Sequence, residues 1–188
     1  PLATRAVRGV RSVGWMLRGT LNVAADVARR RSGTAGLRRV AGDPEAVLAG
    51  DRVAVLAEFA ADEAVRPWAL RMAAALAEVG YPALVVSARE GGRRVAAPPE
   101  LPPGIAIVSR ANARYDFGSW AAALDAWPDL AAKRVLLTND SIIGPLSGTS
   151  RELSTLLRRA EADSAEVFAA TLGRTGAEHL QSYFLLFR

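Results

Sequence analysis

Cysteine is absent from the 188 residues, and histidine occurs once, at His179. The first absence excludes disulfides, thiolate metal sites and structural zinc, and suits a reducing compartment. The second excludes any mechanism or metal site that needs two imidazoles. Long apolar runs are lacking as well. None approaches the roughly 20 residues needed to cross a bilayer, and the stretch from Pro1 has none of the features of a secretion signal. A soluble or membrane-peripheral chain is expected. No G-x-G-x-x-G, G-x-x-x-x-G-K-[ST] or G-x-S-x-G is present, so dinucleotide, P-loop and serine-hydrolase readings have no fingerprint.

What is present is apolar and unevenly charged. Hydrophobic residues make up 51% of the chain, enough to bury the core of one ordinary domain. The net charge of +5 is concentrated at one end: residues 1–40 hold nine arginines against Asp26 alone, which leaves 15 basic and 18 acidic residues in the rest. A uniformly basic nucleic-acid binder is therefore a poor description. Lys133 is the only lysine, so part of the arginine excess is discounted as coding bias. Val7, Val10, Val13, Leu17, Leu21 and Ala24 share one side of a helix and Arg5, Arg8, Arg11 and Arg18 the other. This predicts a basic amphipathic helix, packed on its own or a neighbouring domain or lying on an anionic membrane surface, with nucleic acid a remoter partner. Residues 29–44 read as a linker, which divides the chain into an arm over 1–44 and a domain over 45–188. The start without Met, and the stop directly after the apolar run 183–187, lead us to expect a piece of a longer protein.

Beyond residue 45 solid apolar runs alternate with helix-like spacing, the pattern of a parallel sheet covered on both faces. Strands are expected over 53–57, 83–87, 105–108, 135–137, 167–170 and 183–187. Asp62 is expected to cap a helix carrying Val65, Trp68, Ala69, Met72, Leu76 and Val79, which Gly80 ends. Phe117, Trp120, Ala121 and Leu124 form the stripe of a second helix, closed by Pro128. Thr149 and Glu152 have capping-box spacing before a third, with Leu153, Leu156 and Leu157. The fold class predicted is α/β, with a mostly parallel twisted sheet flanked by helices.

Open parallel sheets bind ligands beyond the carboxyl ends of their strands. The residues expected there are polar: Ser87 and Arg89 after the second strand, Arg110 and Asn112 after the third, Asn139-Asp140-Ser141 after the fourth, and Thr171 after the fifth. Such residues also make good turns, yet their repetition over four strand ends suits a nucleotide site.

Three stretches carry a family resemblance: Asn112-Ala113-Arg114-Tyr115-Asp116-Phe117-Gly118-Ser119-Trp120, then Leu136-Leu137-Thr138-Asn139-Asp140-Ser141-Ile142-Ile143-Gly144-Pro145-Leu146, then His179-Leu180-Gln181-Ser182-Tyr183-Phe184-Leu185-Leu186-Phe187. Together they resemble the rhamnan synthesis protein F family, over about residues 53 to 187. The resemblance implies a GT-A-like nucleotide-sugar transferase that moves rhamnose or a related hexose onto a growing glycan or lipid-linked acceptor at the cytoplasmic membrane face. It implies that Asp140 stands where related enzymes carry a D-x-D metal motif for Mg2+ or Mn2+, with Asn139 and Ser141 beside the donor. Only one carboxylate is offered there, so Arg110 or Arg114 is the alternative source of positive charge. Asn112 and Asp116 match the block that approaches nucleotide and sugar; family members often have Gly where this chain has Arg114. His179, Gln181 and Ser182 match the acceptor-side block. A histidine near its usual pKa of about 6.5 can take a proton from an attacking hydroxyl. The competing readings are a relative that binds nucleotide sugar without turning it over, and a basic-tailed module docking on membrane or nucleic acid through residues 1–40.

Overall fold

Valine, leucine, isoleucine and alanine dominate the runs near residues 55, 85, 107 and 136, and no residue between Val53 and Ala57 is more than 1% exposed. Strands so apolar on both sides need cover on both sides. The computed structural model, which describes residues 36–112, 114–142, 150–173, 179–180 and 183–188 (side chains at 172–173 and 179–180 excepted), provides it. The strands are β1 (Arg38–Ala41), β2 (Arg52–Phe59), β3 (Ala83–Arg89), β4 (Ile105–Ala111), β5 (Arg134–Asn139), β6 (Val167–Ala169), β7 (Leu172–Gly173), β8 (His179–Leu180) and β9 (Phe184–Phe187). The helices are α1 (Pro44–Val47), α2 (Pro67–Glu78), α3 (Tyr115–Ala126) and α4 (Arg151–Ala162). Seven strands form one sheet in the order β1-β4-β3-β2-β5-β9-β6, and β7 pairs with β8 apart from it.

The centre of the sheet is parallel, since β4, β3, β2 and β5 all run the same way. Its flanks are not. β1 lies antiparallel to β4, and β9 enters antiparallel between β5 and β6. The sheet is thus mixed, with the expected parallel part confined to the core.

Side-chain alternation sends Ala54, Leu56, Val85 and Ile107 to one face, against Ala69, Met72 and Leu76 of α2 and Leu153 and Leu157 of α4. Val53, Val55, Val86 and Val108 go to the other, against Trp120 and Ala123 of α3 and Val47 of α1. α2 and α3 therefore cover opposite faces.

Four local expectations are corrected. Residues 38–41, read as linker, form β1, an edge strand whose arginines stay exposed. Asp62 does not cap α2, because Pro67 holds Arg66 in an extended conformation and the helix starts only there. The buried side of α3 is Gly118, Ser119, Trp120, Ala122 and Ala123. Phe117 and Leu124 of the expected stripe face solvent at 63% and 37% exposure; small residues let the helix lie close to the sheet, and Trp120 alone fills the gap. Ser87, Arg89 and Arg110 lie within their strands rather than after them. The cap position of α4 is Ser150; Thr149, like the expected helix in residues 1–24, lies outside the described residues. Between β1 and α1 only glycine fits at position 42, where φ is +72° and a Cβ would stand 2.5 Å from the Ile105 carbonyl oxygen.

Candidate functional site

From β2 the chain passes through α2 to β3, on one side; from β4 it returns through α3 to β5, on the other side of β2. Because those helices cover opposite faces, the carboxyl ends of β2 and β5 border a crevice, the place where open sheets of this kind bind ligands. Asp140 is the first residue beyond β5 and stands at that point.

Its position is fixed from several directions. The Asp140 N–H donates to the Ala57 carbonyl at 3.0 Å, extending the ladder between β2 and β5. Oδ2 of Asp140 accepts from the Phe59 N–H at 3.2 Å, and its carbonyl accepts from Trp68 Nε1 at 3.0 Å. From the opposite face Trp120 Nε1 donates to the Thr138 carbonyl at 3.1 Å. Two indoles, one from each flanking helix, thus hold the end of β5. Asn139 donates through Nδ2 to Oδ2 of Asp116, in the first turn of α3, at 2.7 Å, and accepts the Ser141 N–H through Oδ1 at 3.2 Å.

The cation beside Asp140 is Arg66. Its Nε lies 3.4 Å from Asp140 Oδ2 and donates to the Phe59 carbonyl at 2.6 Å, while its guanidinium carbon lies over the Trp68 ring, 4.9 Å from the centre. Burial pushes the Asp140 carboxyl above its ordinary pKa; the Phe59 N–H and Arg66 oppose that, and Glu58 and Asp116 add to it.

Beneath Arg66 a buried ion pair shapes the loop that carries it. Arg89 and Glu58 are fully buried side chains, joined at 2.9 Å. Arg89 also donates to the carbonyls of Asp62 at 2.6 Å and Ala64 at 2.9 Å, and Glu58 accepts from the Ser87 hydroxyl and from the Arg66 N–H. The path from Phe59 to Arg66 is therefore tied to β3.

Of the residues expected from sequence, Asp116, Asn139, Asp140 and Ser141 come together here. Arg110 is buried in β4 on the α3 side, donates to Ser119 Oγ at 3.4 Å, and has its pKa lowered by desolvation. Asn112 follows β4, its N–H bonded to the Arg89 carbonyl at 2.7 Å. Thr171 is exposed beyond β6. The backbone of His179 lies in β8, paired with Gly173, and Gln181 and Ser182 lie outside the described residues. Glu58, Arg66, Trp68 and Arg89 escaped the sequence reading as site residues or had the wrong place in it. The signal for the first was an acidic residue within an apolar strand, which needs a buried partner.

A divalent cation fits this donor set poorly. Such an ion takes six or more oxygen ligands, several of them commonly carboxylates. Here Asp140 already accepts from Phe59 and faces Arg66, Asp116 accepts from Asn139, and among the described residues no three acidic or imidazole groups are placed to hold a metal.

The entry to α3 is strained. Arg114 and Tyr115 both have positive φ, 63° and 53°. Left-handed backbone costs a side-chain-bearing residue about 1–2 kcal/mol, while the added freedom of glycine in the unfolded chain costs about 0.4–1 kcal/mol. Arg114→Gly is therefore expected to raise stability by about 0.5–1 kcal/mol in thermal unfolding; a clear fall in melting temperature would show that the exposed arginine, and not the backbone, dominates.

Comparison with known protein families, with curated proteins and with solved structures finds no match to this chain. What the fold defines is an α/β protein with an open mixed sheet and a polar, braced site at the reversal of its strand order. No helix among the described residues is long and apolar enough to cross a membrane.

Proposed function

We propose that the chain is the nucleotide-sugar-binding domain of a glycosyltransferase with a GT-A-like sheet, passing rhamnose or a related hexose from a nucleotide donor to a growing cell-surface polysaccharide. The observation that carries the reading is the place of Asp140. The residue that the resemblance to the rhamnan synthesis protein F family singles out emerges where β2 and β5 part, held by Phe59, Trp68 and Arg66. A donor in that crevice lays its diphosphate near the Arg66 and Asp140 pair. Asp116, half-buried and held by the buried Asn139, suits sugar or ribose hydroxyls, because its carboxylate keeps lone pairs for a ligand. Asn112 and Ser141 border the same edge. His179 is assigned as the base toward the acceptor hydroxyl, with Gln181 and Ser182 as acceptor contacts. The workplace proposed is the inner face of the cell membrane, reached through the arginines of residues 1–40.

Titration with dTDP-rhamnose and with UDP- and GDP-sugars, followed by an assay for released nucleoside diphosphate in the presence of glycan acceptors, tests the reading. Binding of at least one donor and its consumption are expected. Binding without consumption would make the chain a non-catalytic nucleotide-sugar binder, and the absence of binding to every donor would end the proposal.

A further inference from the structure

Within the proposed site, and resting on that reading, one positive group has the geometry to meet an anionic ligand directly. We infer that Arg66 is the diphosphate-binding residue of the donor site, gripping phosphate oxygens with its outer edge while its inner edge holds Asp140 and the end of β2.

The division of labour follows from the guanidinium itself, which presents its donors as a rigid fork. Nε is spent inward, on the Phe59 carbonyl at 2.6 Å and toward Asp140 Oδ2 at 3.4 Å. Among the described residues neither Nη group has a hydrogen-bond partner, and the side chain is 35% exposed. Four N–H bonds in one plane therefore remain for a ligand, the arrangement that takes two oxygens of a phosphate at once. The Trp68 ring, whose centre lies 4.9 Å from the guanidinium carbon, limits its swing. Nor can the loop beneath it drift: the Arg66 N–H donates to buried Glu58, which Arg89 holds in turn. A guanidinium placed by an indole, a carboxylate and a main-chain carbonyl loses little further freedom on binding.

Asp140 has a definite part in this. Alone, it would repel a diphosphate. Beside Arg66 it aligns the guanidinium, and the positive charge stands between carboxylate and ligand. Asp140 is thus a positioning residue for Arg66, and Arg66 the ligand contact.

The test uses calorimetry with UDP, dTDP and GDP, and with the matching nucleosides, on the full chain and on Arg66→Gln and Arg66→Lys. Hydrogen bonds to charged groups correspond to a change of about ten- to a hundredfold in affinity. Arg66→Gln should weaken the bound nucleoside diphosphate by about that factor and leave the nucleoside unchanged. Arg66→Lys should recover part of the loss, since it restores charge without the fork. Undiminished diphosphate affinity in Arg66→Gln would overturn the assignment and leave the transferase reading standing. Equal losses for diphosphate and nucleoside would also overturn it, by showing that Arg66 only shapes the loop. Failure of the wild-type chain to bind any of the three diphosphates would end both.

Discussion

Arg89→Met is expected to destabilise the domain by about 3–5 kcal/mol, the usual consequence of removing one partner of a buried ion pair. Glu58 would lose its cation in a fully buried position, and the carbonyls of Asp62 and Ala64 would lose their donors. In a domain of this size the loss lowers the melting temperature by on the order of 10 °C. The double variant Glu58→Met with Arg89→Met should regain much of that stability, because apolar side chains of similar volume often match or exceed a buried pair. It should not regain ligand binding, since the Arg66 N–H loses its acceptor and the loop its ties to β3. A loss below about 1 kcal/mol in the single variant would contradict this account, because it is the range of exposed pairs.

The pair shows what the sequence could and could not reveal. Parallel strands β2 to β5 were legible because burial on both faces demands unbroken apolar runs. Their polar ends were legible only in part: Asp140 follows β5 as expected, whereas Ser87, Arg89 and Arg110 are buried within β3 and β4. β1 was not, because an edge strand with two exposed arginines has no apolar signature. The direction of β9 was equally hidden: Phe184–Phe187 reads as a strand, but composition does not say which way it runs.

Arg66 is the instructive miss. Residues that line such a crevice usually follow a strand directly, and Arg66 lies seven residues beyond Phe59 in the chain. Only a loop folded back by Arg89 and Glu58 brings it to Asp140. Arg110 and Arg114 were nearer to the recognised motif, yet the first is buried against Ser119 and the second enters α3 with a left-handed backbone. In α3 the stripe was misplaced because Gly118, Ser119, Ala122 and Ala123 pack by being small, and a search for large apolar residues passes over them.

Asp140→Asn tests the central claim, that the parting of β2 and β5 is the donor site, most directly. Asparagine keeps the shape and can still accept the Phe59 N–H through Oδ1, but it brings no charge to Arg66. The fold should survive. The Asp140 pKa is raised on folding, chiefly by burial, so the folded chain holds this proton more tightly than the unfolded one. Asp140 therefore costs stability once the pH climbs above the ordinary value of 3.8, and at neutral pH the variant should melt at or slightly above the wild-type temperature. Function should fall while stability does not. Losing one element of a preorganised electrostatic site costs on the order of a hundredfold in turnover. The measurement is nucleoside diphosphate release from the donor by wild type and Asp140→Asn, each with and without chelator. The account predicts a loss of that size in the variant and a wild-type rate indifferent to chelator; a wild-type rate retained in Asp140→Asn would contradict it and reduce Asn139-Asp140-Ser141 to a turn.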